Sequence, residues 1–350
     1  MSRIVNRGAA SAPTLADVAE VAGVSRQTVS NAINNPDLLR ADTLARVQEA
    51  IDELGYVPNR AARNLRTRAS HLIGLRARPA PEGTAHALMD RFVHALVDTS
   101  RTAGYHIMLV TDDPEDRTGT AGYDDLLRST AVDAFVVTDT HLDQPQLAFL
   151  ESRRARFVAF GRPWADPDAG HPWVDVDHAA GAALATEHLI GLGHTRIGWI
   201  GWHKDSRIGE ERRSGWSRVL KAHGLSTTAM ASRVEDTIAS GRSAAAVLLD
   251  EARPTAFVCA SDTLAMGVLH LLDERGLRMG EDLAVVGYDD SLVAQCLPGG
   301  LTSVRLPLEQ VAEEIVAALE GLLARPSYVG PGVLLPPTLR VRGSSGPRLG

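Results

Sequence analysis

From His71 onwards the chain alternates short apolar runs with amphipathic segments, and this order restricts its architecture more than any other feature. The runs are His71–Leu75, His106–Val110, Ala134–Thr138, Phe157–Phe160, Trp173–Val176, Ile197–Ile200, Ala256–Cys259 and Leu283–Val286. Helical patterns lie between them near 86–103, 121–130, 178–192, 209–223, 240–252, 262–275 and 307–324. Consecutive parallel strands need a crossover of a dozen or more residues, usually a helix. Strict alternation therefore predicts parallel sheets covered by helices, and so many strands predict two lobes with a cleft between them. Open parallel sheets bind ligands beyond the carboxyl ends of their strands. Those positions are polar or charged here: Asp139, Arg162, Ser261-Asp262 and Asp289-Asp290 each follow a run.

The first seventy residues follow another pattern. Leu15, Val18, Ala19 and Ala22 mark one face of a short helix, with Thr14 as N-cap and Asp17 at the third helical position. Gly23-Val24-Ser25 breaks it and Ser25 caps a second helix, in which Val29, Ala32 and Ile33 face inward. Arg26, Gln27, Ser30, Asn31 and Asn34 face outward, and Pro36 ends the helix. A third helix, from about Asp42 to Leu54, stops at Gly55. Two short helices joined by a tight glycine turn and closed by a third make a helix-turn-helix. The start of its second helix would enter the major groove, where Arg reads guanine and Gln reads adenine. Thr14, Ser25, Thr28, Ser30 and Asn34 offer hydroxyl and amide groups to phosphates, which fix register without reading sequence.

A net charge of −7 argues against nucleic acid as a partner until it is resolved along the chain. Residues 1–70 carry nine Arg against seven acids, a net of +2, and the rest carries −9. Between Asn59 and Arg78 there are six Arg and no acid. The distribution describes a basic module on an acidic body.

Other classes fit poorly. Cys259 and Cys296 stand too far apart for a disulfide framework or a CxxC site. No stretch approaches the roughly 18 apolar residues of a membrane span, and the N-terminus has no apolar run of a secretory signal. The cytoplasm is the expected location. GxSxG, P-loop and HExxH motifs are missing, and Gly191-Leu192-Gly193 lacks a third glycine at dinucleotide spacing. His178, His188 and His194 are irregularly spaced and expected to be solvated, so neither a metal, a cofactor nor an enzymatic activity is expected. A secreted sugar-binding protein or sugar-active enzyme is the remaining rival class.

The segment from Pro13 to Thr67 resembles the DNA-binding headpiece of the LacI/GalR regulator family. The match lies in Leu15, Asp17, Val18, Ala19, Ala22, Gly23, Val24, Ser25, Thr28, Val29 and Ser30, and continues through Leu54-Gly55-Tyr56-Val57-Pro58-Asn59. The resemblance implies an N-terminal all-α helix-turn-helix headpiece followed by a two-lobed, periplasmic-binding-protein-like α/β effector domain with parallel sheets. It places Arg26, Gln27 and Asn31 at base-reading positions and adds Tyr56 to the DNA-binding set. Asn31 departs from an Arg found in the family, so operator sequence cannot be transferred. Pro58 to Leu65 matches the family's hinge helix, with Leu65 as the minor-groove wedge and Asn59 and Ala62 approaching groove and backbone.

By the same resemblance Asp139, Arg162, Arg212, Ser261 and Asp289 line an effector cleft, with Trp164, Trp202 and Trp216 as stacking candidates. Ser261 replaces an Asn common there. Carboxylates and arginines beside indole rings suit a sugar, and Phe160 to Trp164 and His171 to Asp177 are similar to segments of sugar-sensing members. A purine or other metabolite acting as corepressor is the alternative. The implied organisation is a tail over 1–13, a headpiece over 14–57, a hinge and linker over 58–70, and an effector domain over 71–342. Its N-lobe is expected at about 71–160 and 291–324 and its C-lobe at about 162–289 and 328–342, crossing near 161, 290 and 325, with a tail over 343–350. The implied partners are a pseudopalindromic operator, a small-molecule effector and a second copy of the chain. No leucine heptad follows Arg342, so a dimer is expected rather than a tail-assembled tetramer.

Overall fold

Three short helices open the protein: α1 (Leu15–Ala22), α2 (Arg26–Asn34) and α3 (Ala41–Leu54), with a 3-10 turn over Pro36–Leu38. A computed structural model describes residues 13–57, 69–77, 86–111, 119–129, 131–138, 145–164, 169–325, 330 and 332–346. Gly23 closes α1 with φ +64, a left-handed turn that a residue without Cβ adopts without strain. Val18, Val29 and Val47 are fully buried together with Ala19, Ala22, Ala50 and Tyr56. Burying each valine stabilises the headpiece by about 1.5–3 kcal/mol. The chain divides into two compact units, Met1–Ser70 and His71–Gly350.

The second unit contains two six-stranded sheets. Its strands are β1 (Leu72–Ala77), β2 (His106–Thr111), β3 (Ala134–Val137), β4 (Phe157–Phe160), β5 (Trp173–Val176), β6 (Ile197–Gly201), β7 (Ala231–Arg233), β8 (Ala256–Cys259), β9 (Ala284–Tyr288), β10 (Thr302–Arg305), β11 (Val333–Leu335) and β12 (Thr338–Arg340). The N-lobe sheet has the order β11-β5-β4-β3-β1-β2 and the C-lobe sheet β12-β10-β9-β8-β6-β7. Every pairing is parallel except β10 with β12. The helices are α4 (His86–Thr102), α5 (Ala121–Arg128), α6 (Pro145–Ser152), α7 (His178–Gly191), α8 (Arg207–Ala222), α9 (Ile238–Glu251), α10 (Asp262–Glu274), α11 (Leu292–Cys296) and α12 (Leu308–Ala324). The β-α alternation thus yields the expected pair of parallel-rich sheets. No described helix is long and apolar enough to cross a membrane.

The lobe crossings differ from those expected. β5 pairs with β4 and β11, so residues 162–176 return to the N-lobe before the first crossing. β10 pairs with β9, so residues 291–305 stay in the C-lobe and the second crossing falls just after Arg305. β11 lies in the N-lobe and β12 in the C-lobe, which puts the third crossing between Leu335 and Thr338. The strands that decide the crossings, β5, β10, β11 and β12, are only three or four residues long, and no hydrophobic pattern says which sheet a strand joins.

The expected tail after Arg342 also begins later. Ser344 and Ser345 are buried. Ser344 Oγ donates to the Val285 carbonyl at 2.6 Å and accepts from Thr302 N–H at 2.8 Å. Ser345 Oγ pairs with Thr302 Oγ1 at 2.7 Å and with His188 Nε2 at 2.8 Å. His178 and His194 are likewise buried rather than solvated.

The C-lobe helices α7 and α8 pack closely. A Cβ at Gly215 on α8 would overlap the Ala179 carbonyl on α7. Only glycine permits this approach, which sets α8 against α7 and fixes the side chains that α8 directs toward the strand ends.

Candidate functional site

In the headpiece, Ser25 Oγ accepts from Thr28 N–H at 3.1 Å and lies 2.9 Å from Thr28 Oγ1, which starts α2. Arg26 and Gln27 then stand exposed on the first turn, opposite the buried Val29. Gln27 Nε2 donates to Asn31 Oδ1 at 3.1 Å, so two expected base-reading positions share one face. Asn34 Nδ2 donates to the Ser30 carbonyl at 2.7 Å. Thr14 gives its N–H and hydroxyl to the Asp17 carboxylate at 2.6 and 2.8 Å, bonds that hold that carboxyl below its ordinary range. An exposed cationic and amide surface on the first turn of a helix suits base edges and phosphates.

Tyr56 departs from expectation. Its ring is buried in the three-helix core, so it supports the headpiece rather than offering an exposed contact. Asn59, Ala62 and Leu65 of the expected hinge lie outside the described residues, as does Asp139.

In the second unit, the remaining residues gather where strands of both sheets end. Arg162, just beyond β4, donates from Nε to Asp175 at 2.7 Å, from Nη2 to the Val176 carbonyl at 3.3 Å, and from Nη1 to Glu211 on α8 at 3.0 Å. The last bond joins the lobes. Its guanidinium lies 4.8 Å from the Trp164 ring centroid. In the C-lobe Arg212 is buried, donates to the Ala260 carbonyl after β8, and meets Asp289 after β9 with Nη2 3.3 Å from Oδ1. It lies between Tyr288 and Trp202, with centroids 3.6 and 4.9 Å from Cζ. Each lobe thus presents an arginine stacked on an indole. Arg91 on α4 makes a second contact between the lobes, donating to the Asp289 carbonyl at 3.3 Å.

Asp289 and Asp290 both have positive φ, 103° and 48°. Such backbone costs about 1–3 kcal/mol per non-glycine residue and persists where surroundings enforce it. Asp289 N–H donates to the Val304 carbonyl at 2.8 Å, while Asp290 accepts from Arg342 at 2.6 Å. The turn is held with the Asp289 carboxylate toward Arg212. Ser261 caps α10 through Leu264 N–H at 3.2 Å and donates its hydroxyl to Asp236, beyond β7.

Burial dominates the electrostatics. It raises the Asp175 and Asp289 carboxyls, opposed by Arg162 and Arg212 respectively. Glu211 is raised to about 7 by burial against the charge of Arg162. Asp262 is also raised to about 7, by burial and by Asp289, although it accepts from Ser303 Oγ at 2.6 Å and Ser291 N–H at 2.7 Å. His178 falls well below its ordinary value through burial and the two arginines, so it is neutral at physiological pH.

Four buried polar atoms here have no hydrogen-bond partner among the described residues: Trp164 Nε1, Trp202 Nε1, Arg212 Nε and Glu211 Oε2. Buried polar groups are nearly always bonded, so these atoms make the region between the lobes the candidate ligand site.

Of the expected ligand residues, Arg162, Trp164, Arg212, Ser261 and Asp289 lie at these strand ends. Trp216 does not serve as a platform: it is fully buried in the C-lobe core, donates from Nε1 to the Ile197 carbonyl at 3.3 Å, and packs 6.0 Å from Trp199. The helix divides the work, with Trp216 filling the core and Arg212 reaching the strand ends. Asp175, Glu211 and Asp236 were not among the expected residues. Asp175 carries a usable signal, an acid inside the otherwise apolar strand Trp173–Val176. Glu211 and Asp236 carry none, since acids on helices and loops are ordinarily solvated.

Residues 14–59 match the domain described as bacterial regulatory proteins, lacI family, and residues 186–345 match a periplasmic binding protein-like domain. The chain is 36% identical over 316 residues to the HTH-type transcriptional regulator CelR of Thermobifida fusca, spanning 88% of this chain and 91% of the relative. It is 32% identical over 338 residues to the regulator AglR of Rhizobium meliloti, spanning 95% and 94%. A solved CelR–cellobiose complex superposes with TM-score 0.71 at 32% identity, covering 95% of this chain and 99% of that one. A Lac repressor dimer bound to operator and the anti-inducer ONPF superposes with TM-score 0.80 at 28% identity, with the same coverage. The chain belongs to the LacI family of bacterial DNA-binding transcriptional regulators.

Proposed function

We propose that the protein is a dimeric, cytoplasmic repressor without catalytic activity, whose operator affinity is controlled by a small carbohydrate bound between the lobes. The observation that carries the effector is the set of unpartnered donors and one acceptor beside two arginine–indole stacks. Sugar rings offer an apolar face to indoles and paired hydroxyls to carboxylates. Support comes from the CelR complex, whose ligand is cellobiose.

Two headpieces on adjacent half-sites would match a two-fold protein to a pseudopalindromic operator. Arg26, Gln27 and Asn31 read base edges, while Thr14, Ser25, Thr28, Ser30 and Asn34 hold phosphates. The hinge positions Asn59, Ala62 and Leu65 bend the duplex, and Asp139 adds a carboxylate to the site. Ligand engages both lobes, altering the contacts Arg162–Glu211 and Arg91–Asp289 that already span them. Any differential affinity for the two lobe arrangements appears reciprocally as a change in operator affinity. The sign we assign is induction, with ligand releasing DNA.

A thermal-shift screen of mono- and disaccharides against purine bases tests the effector, because a ligand of the native state alone raises apparent stability. Stabilisation by a saccharide supports the proposal; stabilisation by purines alone contradicts it.

A further inference from the structure

We infer that the site selects an uncharged saccharide and rejects phosphorylated forms of the same sugar, with Glu211 setting the discrimination; this rests on the carbohydrate reading above.

Arg162 engages Asp175, Glu211 and the Val176 carbonyl, and Arg212 engages Asp289 and the Ala260 carbonyl. Recognition of phosphate by arginine relies on a free planar fork of donors. The Arg162 fork is engaged at all three nitrogens by the protein's own carboxylates and carbonyl, and Arg212 keeps only its Nε unpartnered among the described residues. Asp175, Glu211, Asp236 and Asp289 outnumber Arg91, Arg162 and Arg212 in this region, so a dianion would enter a field of its own sign.

The unpartnered atoms point the same way. Trp164 Nε1, Trp202 Nε1 and Arg212 Nε donate, while Glu211 Oε2 accepts. A hydroxyl can give its proton to a carboxylate and accept from an N–H at once, so a polyol satisfies both kinds of atom. A phosphate dianion accepts only and leaves a buried carboxylate oxygen unpaired and repelled. Asp289 faces the Arg212 cation, whereas Glu211 has one oxygen on Arg162 and the other free. Glu211 therefore keeps one acceptor oxygen for a sugar hydroxyl, at a place where a second anion would meet that same oxygen. Burial already disfavours its charge, as its raised pKa records, and a second anion beside it would deepen that cost.

The test is isothermal titration of the full-length protein with cellobiose, maltose, trehalose and sucrose, each beside its 6-phosphate. For every sugar that binds, the neutral form should bind on the order of 100-fold more tightly, since like-charge juxtaposition costs several kcal/mol. Equal or tighter binding of a phosphate overturns the inference and leaves the carbohydrate reading standing. Binding of no compound in the panel overturns the carbohydrate reading and this inference with it. In Glu211→Gln, with folding checked by ligand-free thermal denaturation, the ratio should narrow by roughly tenfold, the factor of one lost charge interaction of 1.4 kcal/mol. An unchanged ratio in the folded variant removes Glu211 as the discriminating residue, and the wild-type ratio decides the rest without the variant.

Discussion

Arg162 and Glu211 meet across the two lobes, Nη1 to Oε1 at 3.0 Å, although 49 residues separate them in sequence. The arginine also holds Asp175, so one guanidinium links a strand of the N-lobe to a helix of the C-lobe. The pair joins the protein's two halves at the place where ligand is proposed to bind.

Stability should depend on pH through this region. Glu211 and Asp262 titrate near 7 in the folded protein, against ordinary values of 4.5 and 3.8. Folding therefore favours their protonated forms. Their favourable contribution is complete below about pH 4 and is lost as pH rises towards and through about 7. Glu211→Gln should flatten the slope of thermal midpoint against pH over this window. A midpoint profile identical to that of the parent protein would show that Glu211 ionises normally.

Asp289→Asn should abolish the response to ligand while leaving operator affinity intact, because the site loses the carboxylate facing Arg212 and the headpiece is untouched. Asn tolerates positive φ better than most residues, so the strained turn survives the change. Titration of the variant with the parent's ligand decides the matter; an unaltered response would remove Asp289 from the site.

The tryptophans separate by role. Trp216→Ala should destabilise the protein by about 3–5 kcal/mol through a core cavity, since its ring is fully buried. Trp202→Ala should cost far less stability and weaken ligand binding, because that ring covers Arg212 beside the site. Denaturant melts and titrations of both variants would expose the reverse order, which the assignment does not allow.

Much of this was legible in the chain. Period and capping residues located α1 to α3, because Val18, Val29 and Val47 must share one small core. Apolar runs located the central strands, which are buried on both faces and need continuous hydrophobicity. The edge strands Ala231–Arg233, Val333–Leu335 and Thr338–Arg340 left no such trace, and the third lobe crossing depends on the last two. Ser344 and Ser345 read as tail because small polar residues are ordinarily solvated, yet their hydroxyls satisfy buried Val285 and Thr302 groups. In the site, strand ends pointed to Arg162, Ser261 and Asp289. Glu211 and Asp236 are set by tertiary placement, and Trp216 went to the core because an indole on the inner face of α8 gains more there.

Gln27→Ala should cost about 1–3 kcal/mol on the operator and relax specificity at one base pair, with little change on random duplex. The exposed first turn of α2 supports this, as Gln27 donates to Asn31 on the same face. An equal loss on both kinds of DNA would make Gln27 a phosphate contact instead.

The central claim is that saccharide between the lobes and operator on the headpiece are coupled. The direct measurement is the affinity of full-length protein for a duplex selected from a random-sequence pool, by fluorescence anisotropy at fixed salt, with and without a saccharide that raises its melting temperature. Affinity should fall by at least about tenfold, within the usual coupling range of 1–3 kcal/mol, and saccharide affinity should fall by the same factor when operator is present. Operator affinity unchanged at saturating saccharide would contradict the account.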